Sequence, residues 1–201
     1  MNKQQILVIG GGDTFDTYEQ YLEFLRTFSI DPERLKPYVG WKLRLQEDLG
    51  DRYEVFAPKM PNVSNAKYEE WDIWISRVLP LLRDDLLVIG HSLGGVFLAK
   101  YLSEKTSPRK IRSAILLAAP AYDLEGEPLA SFRLQPLLDN FQSQVEQIYL
   151  LHSRDDKVVP FAHLAEYKKL LPEAKVVEFA EYGHFNIEDF PELTSLITNI
   201  H

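Results

Sequence analysis

Short apolar runs rich in β-branched residues alternate with segments of helical periodicity along the chain, and this alternation is the feature that most constrains the fold. The runs predict strands at 6–9, 53–57, 86–89, 113–118, 147–152 and 175–179. Buried runs separated by helices are typical of a parallel sheet covered on both faces. We therefore predict an α/β fold, a three-layer α/β/α sandwich with a mostly parallel sheet of about six strands.

Apolar residues recur at helical spacing from Trp71 to Leu82, and Pro80 lies inside this stretch. Because proline removes a backbone hydrogen bond, we predict that the helix kinks or ends near Leu79. The chain has 201 residues without a repeat or a linker, and this length favours a single domain over 1–201.

Two segments, 13–40 and 122–141, are longer than usual connections in such folds. In the first, Tyr21, Phe24 and Phe28 recur at helical spacing, which predicts a short amphipathic helix. Both segments follow the carboxyl end of a strand, where open α/β sheets bind their ligands. We expect them to cover a binding pocket, in a minimal fold with a small lid or none.

The charge balance disfavours several classes of partner. The chain carries 22 Lys and Arg against 30 Asp and Glu, a formal net charge of −8, so neither nucleic acid nor an anionic membrane surface is expected to bind. The apolar run near the N-terminus is too short for a signal peptide or a membrane span, and we predict a cytoplasmic protein. A protein partner is possible, but the sequence contains no pattern that would indicate one.

No metal or cofactor is expected. The chain has no cysteine, and its histidines lack the spacing of metal ligands. Gly10 and Gly12 begin a glycine-rich loop after the first strand. This loop lacks the third glycine of a dinucleotide fingerprint and the lysine of a P-loop, so it does not predict nucleotide binding.

The stretch G-H-S-L-G-G at 90–95 follows the apolar run L-L-V-I and precedes a helical segment. A serine in this setting is typical of a nucleophile elbow, a strained strand-to-helix turn that exposes the hydroxyl of Ser92. Side chains at Gly90 and Gly94 would collide with the close backbone. The alternative is a turn whose glycines serve only to pack the helix against the strand.

A serine nucleophile needs a histidine base and an acid that orients the base. Asp155 and Asp156 follow the strand at 147–152, and His184 follows the last strand, so all lie at the edge of the sheet that carries Ser92. The order Ser, Asp, His matches that of the elbow fold. Alternatively, the aspartates cap the next helix, and His184 is a packed loop residue.

An oxyanion hole requires two backbone N–H groups near the nucleophile. Leu93 supplies the first, because it directly follows Ser92 at the start of a helix. The second is expected from the glycine-rich loop after the first strand, where we choose Gly12, with Asp13 as the alternative.

These motifs resemble the α/β-hydrolase superfamily, and within it the small serine hydrolases of the retinoblastoma-binding group. The resemblance covers nearly the whole chain through G-H-S-L-G-G, D-D-K-V-V-P at 155–160 and Y-G-H-F at 182–185. It implies the strand order second, first, third, fourth, fifth, sixth. It also implies that Asp156, four positions before Pro160, is the acid. The frequent His-Gly of the family reads Gly10-Gly11 here, which weakens the implied oxyanion assignment.

The sequence thus predicts a serine hydrolase that cleaves a small carboxylic ester, thioester or amide through an acyl-enzyme on Ser92. The chain leaves little room for a large lid, which favours a small or extended acyl substrate. Two alternatives remain open: transfer of the acyl group to an acceptor other than water, and a scaffold protein without turnover. A scaffold would be indicated by Phe15, Tyr38 or Trp41 packed onto Ser92.

Overall fold

The computed structural model describes residues 3–36 and 39–200, and its centre is a six-stranded sheet in the order β2-β1-β3-β4-β5-β6. The strands are β1 (Gln4–Ile9), β2 (Tyr53–Phe56), β3 (Leu86–His91), β4 (Ile111–Leu117), β5 (Val145–Ser153) and β6 (Lys175–Phe179). All neighbouring strands pair in parallel. The predicted fold class is confirmed, and so is the strand order implied by the resemblance.

Helices cover both faces of this sheet. The α-helices of the described chain are α1 (Tyr18–Thr27), α2 (Trp41–Leu49), α3 (Tyr68–Val78), α4 (Leu93–Glu104), α5 (Asp139–Gln144), α6 (Ala162–Leu170) and α7 (Pro191–Thr198), and α2 to α7 form the two covering layers. Buried residues of α3 to α6 form a core on one face, and buried residues of α2 and α7 form a second core on the other. The result is the three-layer sandwich that the alternating sequence pattern predicts.

Successive residues of β1 supply the two cores in turn. Ile6 and Val8 pack with α2 and α7, whereas Leu7 and Ile9 pack with the helices of the opposite face. Side chains along a strand point alternately to its two faces. A strand covered on both faces is therefore apolar at every position, which is why these runs are continuous in the sequence.

Helix ends follow local sequence signals. The α-helical part of α3 ends at Val78, and Leu79–Leu81 form a 3-10 turn that contains Pro80, so the predicted end near Leu79 is confirmed. Helix α1 begins at Tyr18, where Thr17 and Gln20 form a reciprocal capping box. None of the residues of α1 is buried, because this helix lies apart from the two cores.

Strand limits differ from the sequence-based prediction by up to two residues. Strand β1 starts at Gln4 because Gln5, although polar, is buried: its amide donates to Glu54, and its carbonyl accepts the backbone N–H of Arg83. Strand β4 ends at Leu117, since Ala118 has φ +47°, which leaves extended geometry. Among the described residues, no helix is long and apolar enough to cross a bilayer.

Candidate active site

Ser92 lies in the sharp turn between β3 and α4. Its backbone has φ +56° and ψ −125°, a strained conformation for a residue with a side chain. Two hydrogen bonds hold the turn: the N–H of Ser92 donates to the Leu117 carbonyl at 2.9 Å, and the N–H of Gly95 donates to the Ser92 carbonyl at 2.9 Å. The side chain does not cap α4, so its hydroxyl is not bound to the helix that it begins.

The glycines of the turn are required by close backbone contacts. A Cβ at Gly90 would lie 2.5 Å from the carbonyl oxygen of Gly94, and a Cβ at Gly94 would overlap the carbonyl oxygen of Ile9. The predicted collisions at Gly90 and Gly94 are confirmed. Gly95 is equally restricted, since its Cβ would lie 2.6 Å from the Cβ of Ala119.

Gly90→Ala is expected to lower the free energy of unfolding by about 1 to 3 kcal/mol, because the obstructing atoms belong to the backbone and cannot rotate away. Gly10→Ala is the matched control, since a Cβ at Gly10 has no atom within 4 Å. Urea unfolding of both variants measures the difference. Equal stability of the two would contradict this account of the turn.

Asp156 and His184 are in direct contact. The Nδ1 of His184 lies 2.8 Å from Oδ2 of Asp156, and the Asp156 side chain is completely buried. The other carboxylate oxygen, Oδ1, accepts the backbone N–H groups of Val158 and Val159 at 2.8 and 2.9 Å. Each oxygen therefore has its own partners, and this arrangement fixes the carboxylate toward the imidazole.

Asp155 has a different role from its neighbour. Its Oδ1 accepts the Ser153 hydroxyl at 2.5 Å and the backbone N–H of Gly183 at 2.8 Å. The Ser153 hydrogen bond, followed by that of Gly183, lowers the pKa of the Asp155 carboxyl. Asp155 thus ties the end of β5 to the chain around His184, while Asp156 contacts the imidazole itself.

The base loop, residues 180–186, is held by hydrogen bonds from several elements. The N–H of Tyr182 donates to the Ser153 hydroxyl at 2.9 Å, and the indole N–H of Trp41 donates to the Phe185 carbonyl at 3.1 Å. Together with the bond from Gly183 to Asp155, these contacts fix the backbone that carries His184.

His91 and His152 support neighbouring residues through hydrogen bonds to backbone carbonyls. The Nε2 of His91 lies 2.8 Å from the carbonyl oxygen of His184, and the Nε2 of His152 lies 2.8 Å from that of Val159. Burial lowers the pKa of both imidazoles, and for His91 the charge of Lys42 adds to this effect. Both rings are therefore neutral near pH 7 and donate through Nε2–H.

Ser92 and His184 line one cleft at the carboxyl edge of the sheet, with a volume of about 1130 Å³. Among the hydrogen bonds of the described chain, none joins the Ser92 hydroxyl to His184. Such bonds are often long in the free enzyme and tighten when substrate binds. The structure thus joins the predicted base to the predicted acid and brings the predicted nucleophile to the same cleft.

The loop after β1 also borders Ser92. A Cβ at Gly11 would lie 3.1 Å from the Ser92 Cβ, and one at Gly12 would lie 2.6 Å from the Val63 carbonyl oxygen. The N–H of Asp13 donates to that carbonyl at 2.8 Å, so it is already engaged. Within the described residues, the N–H groups of Gly12 and Leu93 donate to no protein acceptor. Sequence reasoning did not single out Gly11, although it lies beside the serine.

Both long segments contribute to the walls of the cleft, the first through Phe15 and Phe24 and the second through Leu124 to Leu129. They are joined by Arg133, whose guanidinium binds Asp123 and Asp16. Of the three aromatic residues that would indicate a scaffold if packed onto Ser92, Trp41 packs against His91 and Phe190 instead. Phe15 packs against Tyr21 and Phe24, and Tyr38 lies outside the described residues.

Lys42 is a further residue of the cleft that sequence reasoning missed. It occupies a polar position of α2, between the buried Trp41 and Leu45. Nothing in its local sequence distinguishes it from an exposed helical lysine.

The sequence of this chain matches a known protein family. A family model described as serine hydrolase matches residues 37–195, which is more than half of the chain. The chain belongs to this serine hydrolase family. The matched range contains Ser92, Asp156 and His184, and it begins after the loop that contains Gly12. The resemblance drawn from the motifs is confirmed.

Individual relatives of this serine hydrolase are distant in sequence. Serine hydrolase RBBP9 of Rattus norvegicus is 24% identical over 172 residues, which cover 81% of this chain and 86% of that protein. The ydeN gene product of B. subtilis superposes with a TM-score of 0.71 at 18% identity, over 98% of both chains. A thioesterase domain from the curacin biosynthetic pathway gives a TM-score of 0.63 at 17% identity, over 98% of this chain and 92% of that one. The two solved structures show the α/β-hydrolase fold.

Proposed function

We propose that this serine hydrolase cleaves small carboxylic esters, thioesters or amides through an acyl-enzyme formed on Ser92. The observation that carries the proposal is the 2.8 Å contact between His184 Nδ1 and Asp156 Oδ2, beside a cleft that Ser92 and His184 both line. An imidazole oriented in this way presents its Nε2 as the base that a serine nucleophile needs.

In the proposed mechanism, Ser92 attacks the carbonyl carbon of the substrate while His184 accepts the hydroxyl proton. The tetrahedral intermediate then collapses, and the imidazolium gives this proton to the leaving group. Water attacks the acyl-enzyme with the same base and releases the acid product. Asp156 holds the imidazole tautomer throughout and stabilises its positive charge.

The developing oxyanion is assigned to the backbone N–H groups of Leu93 and Gly12. Leu93 is the first residue of α4, where the helix dipole favours negative charge. Asp13 is the weaker alternative, because its N–H is bound to the Val63 carbonyl. Gly12 is tightly packed against the same carbonyl oxygen.

We further propose that the chain is a single domain, 1–201, whose segments 13–40 and 122–141 cover the substrate. Aromatic side chains of the first segment, including Phe15 and Phe24, supply apolar surface beside the cleft. This surface suits a small or extended acyl group.

A chain-length series of p-nitrophenyl esters, assayed beside aminoacyl amides, tests the proposed function. We expect saturable hydrolysis with an optimum at a short or medium acyl chain. Adding a nucleophilic alcohol and analysing the products separates hydrolysis from acyl transfer. Absence of turnover across the series, with a folded protein, would contradict the proposal and favour a scaffold.

A further inference from the structure

Lys42 places a positive charge in the same cleft as Ser92 and His184. It is the second residue of α2, and its Nζ lies 5.3 Å from the centroid of the Trp41 ring. The Trp41 ring is 6.3 Å from the His91 ring, which is 4.9 Å from the His184 ring. These contacts put the ammonium group on the side of the cleft that carries the base.

Within the part of the chain that the structure describes, Lys42 forms no salt bridge. Among the described residues, no carboxylate lies within 4 Å of its Nζ, and the first turn of α2 contains no acidic residue. A cation near a helix N-terminus also opposes the helix dipole. Burial lowers the pKa of Lys42 to about 8. A protonated lysine is therefore destabilised at this position in the free protein, and a bound anionic ligand would remove this destabilisation.

The cleft also contains several carboxyl groups. Asp13 and Glu127 both line it, and burial, together with the charge of Glu127, raises the pKa of Asp13. These carboxyl groups and the net charge of −8 oppose a multiply charged ligand such as a phosphate ester. Four carboxyl groups and two lysines, Lys36 and Lys42, line the cleft, and this balance fits a ligand with a single negative charge better than one with several.

We propose that Lys42 binds a carboxylate of the substrate, so that this hydrolase prefers singly charged acyl compounds to neutral ones. The inference rests on the proposed function and makes it more specific. An ammonium group held in a partly buried cleft gives a charge-assisted hydrogen bond to a carboxylate. A neutral ester in the same cleft would leave the charge of Lys42 unpaired.

Two pairs of substrates test the inference. In 4-acetoxybenzoate the leaving group carries the carboxylate, and methyl 4-acetoxybenzoate is its neutral counterpart. In mono-p-nitrophenyl glutarate the acyl group carries it, and p-nitrophenyl pentanoate is the neutral counterpart. For each pair, the preference is the kcat/KM of the charged substrate divided by that of its neutral counterpart. In at least one pair, Lys42→Met is expected to lower this ratio by about 10- to 100-fold, because the variant loses one hydrogen bond between charged groups.

Lys42→Arg should keep part of this preference, and Lys168→Met is the matched control. Lys168 is exposed on α6, so its loss changes the net charge equally without changing the cleft. The inference is overturned if the ratio in both pairs is the same for Lys42→Met and Lys168→Met. The pair that responds shows whether the carboxylate belongs to the acyl group or the leaving group.

A binding measurement keeps this inference separate from the proposed function. Calorimetric titrations of monomethyl glutarate and of 4-hydroxybenzoate, which carry the carboxylate of the acyl group and of the leaving group, are expected to give weaker binding of at least one of them to Lys42→Met than to Lys168→Met, whether or not the chain turns over esters. Lys42-dependent binding without turnover would contradict the proposed function alone. Turnover with binding independent of Lys42 would contradict this inference alone.

The pH dependence gives a second readout. The preference for the charged substrate is expected to fall as pH rises through about 8, because the Lys42 ammonium then loses its proton. Lys36, His91, His184 and Glu188 also line the cleft, so the difference between the native chain and Lys42→Met isolates the lysine. A preference that persists unchanged well above pH 8 would contradict the assignment.

Lys42→Met is also expected to raise the Tm near pH 7, since it removes an unpaired cation. A lysine whose folded pKa is lowered binds fewer protons when folded than when unfolded. The destabilisation caused by the charged Lys42 is therefore present in full below about pH 8. It declines as the pH rises toward 10.5, the pKa of this lysine in the unfolded chain. The difference in Tm between the variant and the native chain should shrink over this range.

Discussion

Ser92→Ala is expected to lower kcat/KM for ester hydrolysis by about 10⁶-fold, the order of loss seen when a nucleophile that acts together with its base is removed. The alanine keeps the backbone of the turn, which is held by bonds to Leu117 and from Gly95. It removes only the oxygen that would form the acyl-enzyme. The Tm should therefore change little while activity is lost.

Ser64→Ala is the control for this prediction. Ser64 is an exposed residue that lines the same cleft, and we assign it no step of the reaction. Its replacement is expected to change kcat/KM by far less than the replacement of Ser92, Asp156 or His184. Hydrolysis that survives Ser92→Ala at the native rate, measured with the preferred p-nitrophenyl ester, would contradict the role of Ser92.

Asp156→Asn is expected to lower kcat by about 10⁴-fold through the wrong imidazole tautomer. The N–H groups of Val158 and Val159 require an oxygen at the Oδ1 position. The amide NH₂ of asparagine must then face His184 Nδ1, which becomes an acceptor. The proton moves to Nε2, and the imidazole can no longer take a proton from Ser92.

The adjacent Asp155→Asn is the matched control. Its Oδ1 accepts both the Ser153 hydroxyl and the Gly183 N–H, and an amide oxygen can accept both bonds. The kcat of Asp155→Asn should therefore remain far above that of Asp156→Asn. Similar losses in the two variants, measured by steady-state kinetics over a range of pH, would contradict the assignment of Asp156 as the acid.

The fold was predictable because its signals are local. Continuous apolar runs marked all six strands, and the predicted limits 175–179 match β6. Strand ends were less predictable where they depend on distant contacts. Strand β5 begins at Val145, two residues earlier than predicted, because its first residues pair with β4.

The residues of the candidate site also differ in whether they could be predicted from the sequence. Ser92 and His184 could be found because the elbow and the strand-end loops carry recognisable sequence. Lys42 could not be found, since its proximity to His91 arises only when α2 packs beside β3. The same holds for Gly11, which approaches Ser92 because β1 and β3 are neighbours in the sheet.

Mass spectrometry after labelling with a fluorophosphonate probe tests the central claim most directly. Trypsin cleavage after Arg83 and Lys100 releases the peptide 84–100, in which Ser92 is the sole hydroxyl-bearing residue. The account predicts a single adduct on this peptide, formed by the native chain and lost in Ser92→Ala and, to a large extent, in His184→Ala. An adduct on another peptide, or labelling that does not depend on His184, would contradict it.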